Sequence, residues 1–157
     1  MNNWVINLLI VLATFIAMEG VAWLTHKYVM HGLCWFLHRD HHVKDSEGFL
    51  ERNDFFFLIF AIPGIICLAL GSFYEADTAL FIGIGITVYG AAYFFVHEIF
   101  IHQRIKYFRN TDNWYFKAIR RAHKMHHKHT TKEHGECFGM LWVPFKYFMD
   151  SKKNTTS

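Results

Sequence analysis

WVINLLIVLATFIAMEGVAWLTHKYVMH, residues 4–31, holds one charged residue, Glu19, before Leu24 and then delivers two histidines, His26 and His31. A helix needs about 20 apolar residues to cross ~30 Å of hydrocarbon at ~1.5 Å per residue. Two further runs of that length, residues 55–74 and 78–96, carry no charge. The expectation is an all-α integral membrane helical bundle with three spans, or four if the apolar stretch 138–149 (FGMLWVPFKYFM) joins them. That stretch is too short to cross and contains Pro144, so it is expected to lie at the interface or pack on the core. A mean hydropathy of +0.13 conceals the pattern, because nearly all charge falls in residues 25–54 and 97–157. The first run has no basic start and no small-residue cleavage site, so it is expected to be a span and not a leader. Three such runs also exceed the apolar core of a soluble chain of 157 residues.

Charge placement orients the bundle. All 16 Lys and Arg lie between the first and second runs (Lys27, Arg39, Lys44, Arg52) or from Arg104 onward. With three spans every basic residue falls on one side, which the positive-inside tendency makes cytoplasmic. The expected location is the cell inner membrane, with the amino terminus outside.

Ten of the twelve histidines fall in four clusters on that same side: His26 and His31; His38, His41 and His42; His97 and His102; His123, His126 and His127. They read HxxxxH, HxxHH, HxxxxH, HxxHH. Neutral imidazole ligates iron, zinc, copper or nickel, whereas rings buried together without metal lack partners and repel if protonated. On a helix the second and third members of HxxHH lie about 60° and 40° to either side of the first, so all three are expected to reach one site. The HxxxxH pair lies about 140° apart unless the helix frays, carries a π-bulge or sends its ligands to different ions. That spacing argues for two metals in a histidine-rich cap on the ends of the first and third spans.

Other chemistries fit less well. His97-Glu98 opens like HExxH, but the next histidine, His102, comes one residue late. Glu-x-x-His repeats of ferritin-like di-iron proteins are missing, and a bis-histidine haem would leave the triplets unused. GIGIG at 83–87 lies within a span and reads as helix packing, not phosphate binding. Cys34, Cys67 and Cys137 have no CxxC spacing and suggest neither a disulfide framework nor an iron–sulfur site. A net charge of +3 and a pI near 8.8 suit an anionic leaflet. The basic cluster Arg120, Arg121, Lys124, Lys128 and Lys132 suits an acidic protein partner, and nucleic acid is not expected. Residues 1–150 read as a single domain and 151–157 (SKKNTTS) as a disordered tail.

Several polar residues near the clusters have two readings. Asp40, Asp54 and Glu98 are candidates for accepting the outer N–H of ligand rings, or are solvated or capping residues. His129 and His134 either support the site by hydrogen bonding or face solvent. Glu19, within a span, is expected to face the bundle interior near the cap, protonated or paired to a histidine. Phe55 to Phe57 and Phe94 to Phe95 line a substrate groove or face lipid.

The segments HKYVMHGLCWFLHRDHH, ITVYGAAYFFVHEIFIHQRIKYF and RAHKMHHKHTTKEHGECFGM, with MEG at 18–20 and ND at 53–54, resemble the bacterial β-carotene hydroxylases of the membrane fatty acid hydroxylase superfamily. The resemblance covers about residues 5–145. It implies a histidine-rich di-iron monooxygenase that hydroxylates carbon 3 of each β-ionone ring of β-carotene, giving zeaxanthin through β-cryptoxanthin. O2 is then co-substrate, and zinc the expected replacement for iron in overexpressed protein. It also implies a carotenoid delivered from the lipid bilayer and an external electron donor, ferredoxin with its reductase, there being no room for a fused haem or flavin domain. A fatty acid or sterol hydroxylase, a carotenoid ketolase and a non-enzymatic membrane metal-binding protein are the alternatives.

Overall fold

The computed structural model describes residues 3–43, 48, 50–106, 108, 110–133 and 135–153. These are helical or irregular throughout, with no strand among them. Helix α1 (Asn3–Leu24) runs on into a π-helical segment, Thr25–Leu33, which kinks at Gly32 (φ −110°, ψ −109°), and α2 (Trp35–His42) follows at once. A short 3-10 turn, Arg52–Phe55, starts α3 (Phe56–Phe73). The second hairpin member, α4 (Asp77–Tyr93), also passes into a π-helical segment, Phe94–Ile101. Then come α5 (Trp114–His126) and the short α6 (Phe145–Lys153).

Three helical stretches, 31, 22 and 25 residues long, are apolar and long enough to cross a membrane: Asn3–Leu33, Arg52–Phe73 and Asp77–Ile101. They form the membrane bundle expected from the apolar runs. The segment 138–149 is not a fourth span, since its helix has nine residues. It divides instead between the two expected roles: Met140, Val143 and Tyr147 are buried in the core, while Trp142 and Phe145 are exposed. Helix α6 continues through Ser151 and Lys152, so the expected tail does not begin at 151. Residues 154–157 and His134 lie outside the described residues.

The spans pack through glycine. Helix α3 makes its broadest contact with α4, and α1 packs on α4 as well. A Cβ at Gly83 would stand 2.8 Å from the Leu68 main-chain nitrogen, and one at Gly85 would stand 2.6 Å from Thr14 Cβ. The GIGIG run therefore turns one glycine to α3 and another to α1, the use small residues have in membrane interfaces. Leu8, Leu12, Ile16, Phe57, Ile65 and Phe73 point away from the bundle, which suits a lipid surround. Phe55, Phe57, Phe94 and Phe95 are also exposed, whereas Phe56 is buried against the His38 ring.

Below the histidines a core joins Met18 and Ala22 of α1, Tyr89 of α4, Val96 and Phe100 of the segment after it, Ala118, Ile119 and Ala122 of α5, and Met140, Val143 and Tyr147. Helix α5 is started by Asn113, whose side-chain oxygen accepts from the main-chain N–H of Tyr115 and Phe116. Gly85→Ala is expected to destabilise the bundle by about 1–3 kcal/mol through overpacking. Gly90→Ala, where nothing lies within 4 Å, is expected to be silent. Thermal unfolding in detergent reads both.

Candidate metal centre

The two π-helical segments answer the problem set by HxxxxH. The Cys34 amide donates to Val29 (2.8 Å) and the His102 amide to His97 (2.9 Å), each across five residues. This wider turn brings the fifth residue round towards the first. The His26 and His31 ring centroids are 5.3 Å apart and those of His97 and His102 are 4.6 Å apart. Each pair thus serves one place and is not split between two.

The triplets do the reverse. Ligand atoms of His26, His31, His38, His42 and His126 lie within 4.8 Å of one another, and those of His41, His97, His102 and His123 form a second such set. His127 Nε2 lies 2.9 Å from His123 Nε2, which adds it to the second. The expectation that all three members of HxxHH reach one site is therefore corrected. His38 and His42 face the first set and His41 the second; His123 and His127 face the second and His126 the first. Members three and four residues on lean to opposite sides of a helix, about 100° from each other, so α2 and α5 run between the sets and divide their ligands. Each set gains one crossing ligand and reaches five imidazoles.

Outer acceptors fix which nitrogen faces inward. Nδ1–H of His26 donates to the Phe138 carbonyl (3.0 Å), of His38 to Asn53 Oδ1 (2.6 Å), of His42 to the His129 carbonyl (2.9 Å) and of His126 to the Glu136 carbonyl (2.7 Å). In the second set Nδ1–H of His41 donates to Glu51 Oε2 (2.8 Å) and of His97 to Glu98 Oε1 (2.6 Å). A neutral imidazole has one N–H, so these rings aim a lone pair inward from Nε2. Yet Nε2 of His26 and of His42 lie only 3.1 and 3.2 Å from Nε2 of His38. With both protons on the outer nitrogens no hydrogen bond joins those atoms, and the lone pairs repel unless a cation stands among them. Ligand nitrogens about 2.1 Å from one ion and at right angles lie about 3.0 Å apart, so the spacing fits metal. His41 Nε2 is buried with no hydrogen-bond partner, as an atom reserved for a metal would be.

Burial keeps the rings neutral. It is the first cause at each ring outside the spans, with neighbouring rings adding to it: His42, His126 and His127 fall to about 2, and His41 and His123 fall well below the usual range. His38 falls to about 4 despite its bond to Asn53, and His102 to about 4 with Arg104 adding to burial. At pH 7 these rings are uncharged and their lone pairs available.

Of the acidic candidates only Glu98 accepts from a ligand ring. Asp40 accepts from the Arg52 main-chain N–H (2.6 Å), holding the turn that presents Asn53. Asp54 takes both terminal nitrogens of Arg104, at 3.0 and 2.7 Å. His129 serves through its carbonyl. Glu19 does not pair with a histidine: its Oε1 accepts from the consecutive main-chain N–H groups of Met140, Leu141 and Trp142 at 2.8–3.0 Å, and its Oε2 from Tyr89 O–H at 2.8 Å. This ties α1 and α4 to the segment whose Phe138 carbonyl orients His26. Asn53, Glu51 and the three carbonyls were missed in the sequence reading; the Asn-Asp pair at 53–54 was the available signal for Asn53. Arg120 turns inward to the Phe100 and Phe108 carbonyls (2.9 and 2.7 Å), leaving Arg121, Lys124, Lys128 and Lys132 as the exposed basic residues.

Between the sets lies a small recess of about 10 Å³ lined by His26, His97 and His123 and closed by apolar Ala22, Met30, Phe60 and Met140.

The fatty acid hydroxylase family model matches residues 11–150. The chain is 40% identical over 145 residues to a β-carotene hydroxylase of Pantoea ananas, covering 90% of this chain and 79% of that one. It is 34% identical over 137 residues to a β-carotene hydroxylase of Paracoccus sp. (strain PC1), covering 87% and 83%. Against the chloroplastic β-carotene 3-hydroxylase of Gentiana lutea it is 36% identical over 132 residues, covering 82% of this chain and 40% of the plant protein. No solved structure matches.

If the sets are as described, His42→Ala weakens one bound ion and His41→Ala the other, although the two residues are adjacent. Each loss should equal or exceed the ~10–100-fold typical of removing a supporting partner. Metal titration of the stripped single and double variants separates them. Glu19→Leu leaves three main-chain donors unpaired and is expected to lower stability by about 3 kcal/mol or more, read by unfolding in detergent.

Proposed function

This chain belongs to the fatty acid hydroxylase family, and from that membership we propose that it hydroxylates carbon 3 of the β-ionone rings of β-carotene, giving zeaxanthin through β-cryptoxanthin. The observation that carries the reading is the pair of five-imidazole sets meeting at a small recess walled by Ala22, Met30, Phe60 and Met140. The relatives' names supply the substrate.

His26, His31, His38, His42 and His126 would hold one iron, and His41, His97, His102, His123 and His127 the other. Bound there, the irons supply O2 activation and cleavage of an unactivated C–H bond. One oxygen atom enters the C–H bond and the second leaves as water, with two electrons and two protons taken up per hydroxylation. The protein supplies placement. The outer hydrogen bonds hold six of the rings with the lone pair inward, and Phe138, Trp35 and Tyr93 pack against His31, His42 and His97 to keep water out. Ala22, Met30, Phe60 and Met140 offer the ring end of a carotenoid an apolar seat beside His26, His97 and His123. The recess is far smaller than a β-ionone ring, so Met30 and Met140, the flexible walls, swing aside on binding.

The polyene arrives from the lipid, in the inner membrane with the histidine cap on the cytoplasmic side, where the basic residues lie. Electrons come from ferredoxin and its reductase, and exposed Arg121, Lys124, Lys128 and Lys132 beside the second triplet suit an acidic carrier.

Expression in bacteria that make β-carotene is expected to yield zeaxanthin and β-cryptoxanthin on pigment chromatography. Ketocarotenoids in their place would indicate a ketolase, and unchanged β-carotene would reject the carotenoid assignment. Lys124→Glu with Lys128→Glu is expected to slow turnover with reduced ferredoxin several-fold and to leave metal content intact.

A further inference from the structure

The two imidazole sets are gripped from outside by different chemistry. In the first, every outer acceptor described above is neutral: the carbonyls of Phe138, His129 and Glu136 and the amide oxygen of Asn53. In the second, His41 and His97 donate to the carboxylates of Glu51 and Glu98. Those carboxylates converge on one guanidinium. Arg104 Nε lies 2.6 Å from Glu98 Oε2, and one terminal nitrogen lies 3.3 Å from Glu51 Oε2 and 2.7 Å from Asp54 Oδ1. The second terminal nitrogen reaches Asp54 Oδ2 at 3.0 Å, so Asp54 sets the plane of the fork. Three carboxylates and one guanidinium leave a formal charge of −2 behind the second set. Asp40, the acid nearest the first set in sequence, is engaged by Arg52 instead.

We propose that the two metal positions are inequivalent, with the ion at His41, His97, His102, His123 and His127 the more tightly held, and that Arg104 is the positioning residue that makes it so. The inference rests on the dinuclear reading above and adds to it an order of affinity. A carboxylate accepting the outer N–H draws on that proton and makes the inner nitrogen a stronger donor, which a neutral carbonyl does less. Arg104 holds both carboxylates at once: on Glu98 it takes Oε2 and leaves Oε1 to His97, and on Glu51 it shares Oε2 with His41. Lysine, a single point charge, cannot hold that fork.

The test is cobalt(II) titration of the metal-stripped, detergent-solubilised full chain, followed by its visible absorption. Two steps are expected, and His42→Ala, confined to the first set, marks the weaker. Glu51→Gln and Glu98→Gln keep an acceptor oxygen and drop the charge; each should weaken the tighter step by about 10–100-fold and leave the weaker unmoved. Arg104→Lys should move the same step in the same direction. The reciprocal change, Asn53→Asp, places a carboxylate on His38 and should tighten the weaker step. Equal movement of both steps in the glutamine variants overturns the inference, as does an unmoved weaker step in Asn53→Asp. Should the glutamine variants fail to fold by circular dichroism, Asn53→Asp decides alone. No cobalt uptake at all would sink the dinuclear reading and this one together. Two unequal steps without carotenoid hydroxylation would sink only the activity.

Discussion

Ten uncharged imidazoles pressed together with their lone pairs converging is the constraint on which the rest of this structure depends. Such an arrangement is unfavourable by itself, and the protein holds it from every side. Main-chain carbonyls, one amide and two carboxylates pin the outer protons. Without those acceptors a ring could turn or exchange tautomer and pair with its neighbour, and the convergence would be lost. What a metal gains in ligand number has been prepared by hydrogen bonds that never touch it.

Helix packing in the bilayer serves the same end. The π-helical segments that carry His26, His31 and His97 are the ends of α1 and α4, so the two helices must stop at matching depth. Gly85 against Thr14 sets how closely they approach, and the Glu19 and Tyr89 bond links them nearer the cap. A carboxylate in a span is expensive in isolation. Here four donors meet it, so it works as a tie between the spans and the loop that orients His26.

Much of this was legible in the residues. Three charge-free runs locate the spans, and histidine spacing locates the ligands, because both follow a helical period. The HxxxxH spacing even pointed to a π-bulge among its solutions. Division of the triplets was not legible: helix geometry shows that His41 and His42 diverge but not that a second set waits beside His41. The outer acceptors were harder still. A carbonyl has no signature of its own, so Phe138, Glu136 and His129 could not be singled out by residue type. Asp54 looked like a partner for a ring and serves Arg104 instead, because the guanidinium reaches it first. Glu19 looked like a partner for histidine, and its partners are main-chain amides more than a hundred residues away.

The crossing of ligands between α2 and α5 has a consequence for biogenesis. His126 completes the set begun by His26, and carbonyls at 129, 136 and 138 steady three of its members. A nascent chain that has threaded its spans but not yet released α5 holds four of those five rings, two of them, His26 and His42, without the carbonyls that orient them. A complete first set must therefore wait until the segment through Phe138 has emerged, which makes loading a late checkpoint on spans already inserted.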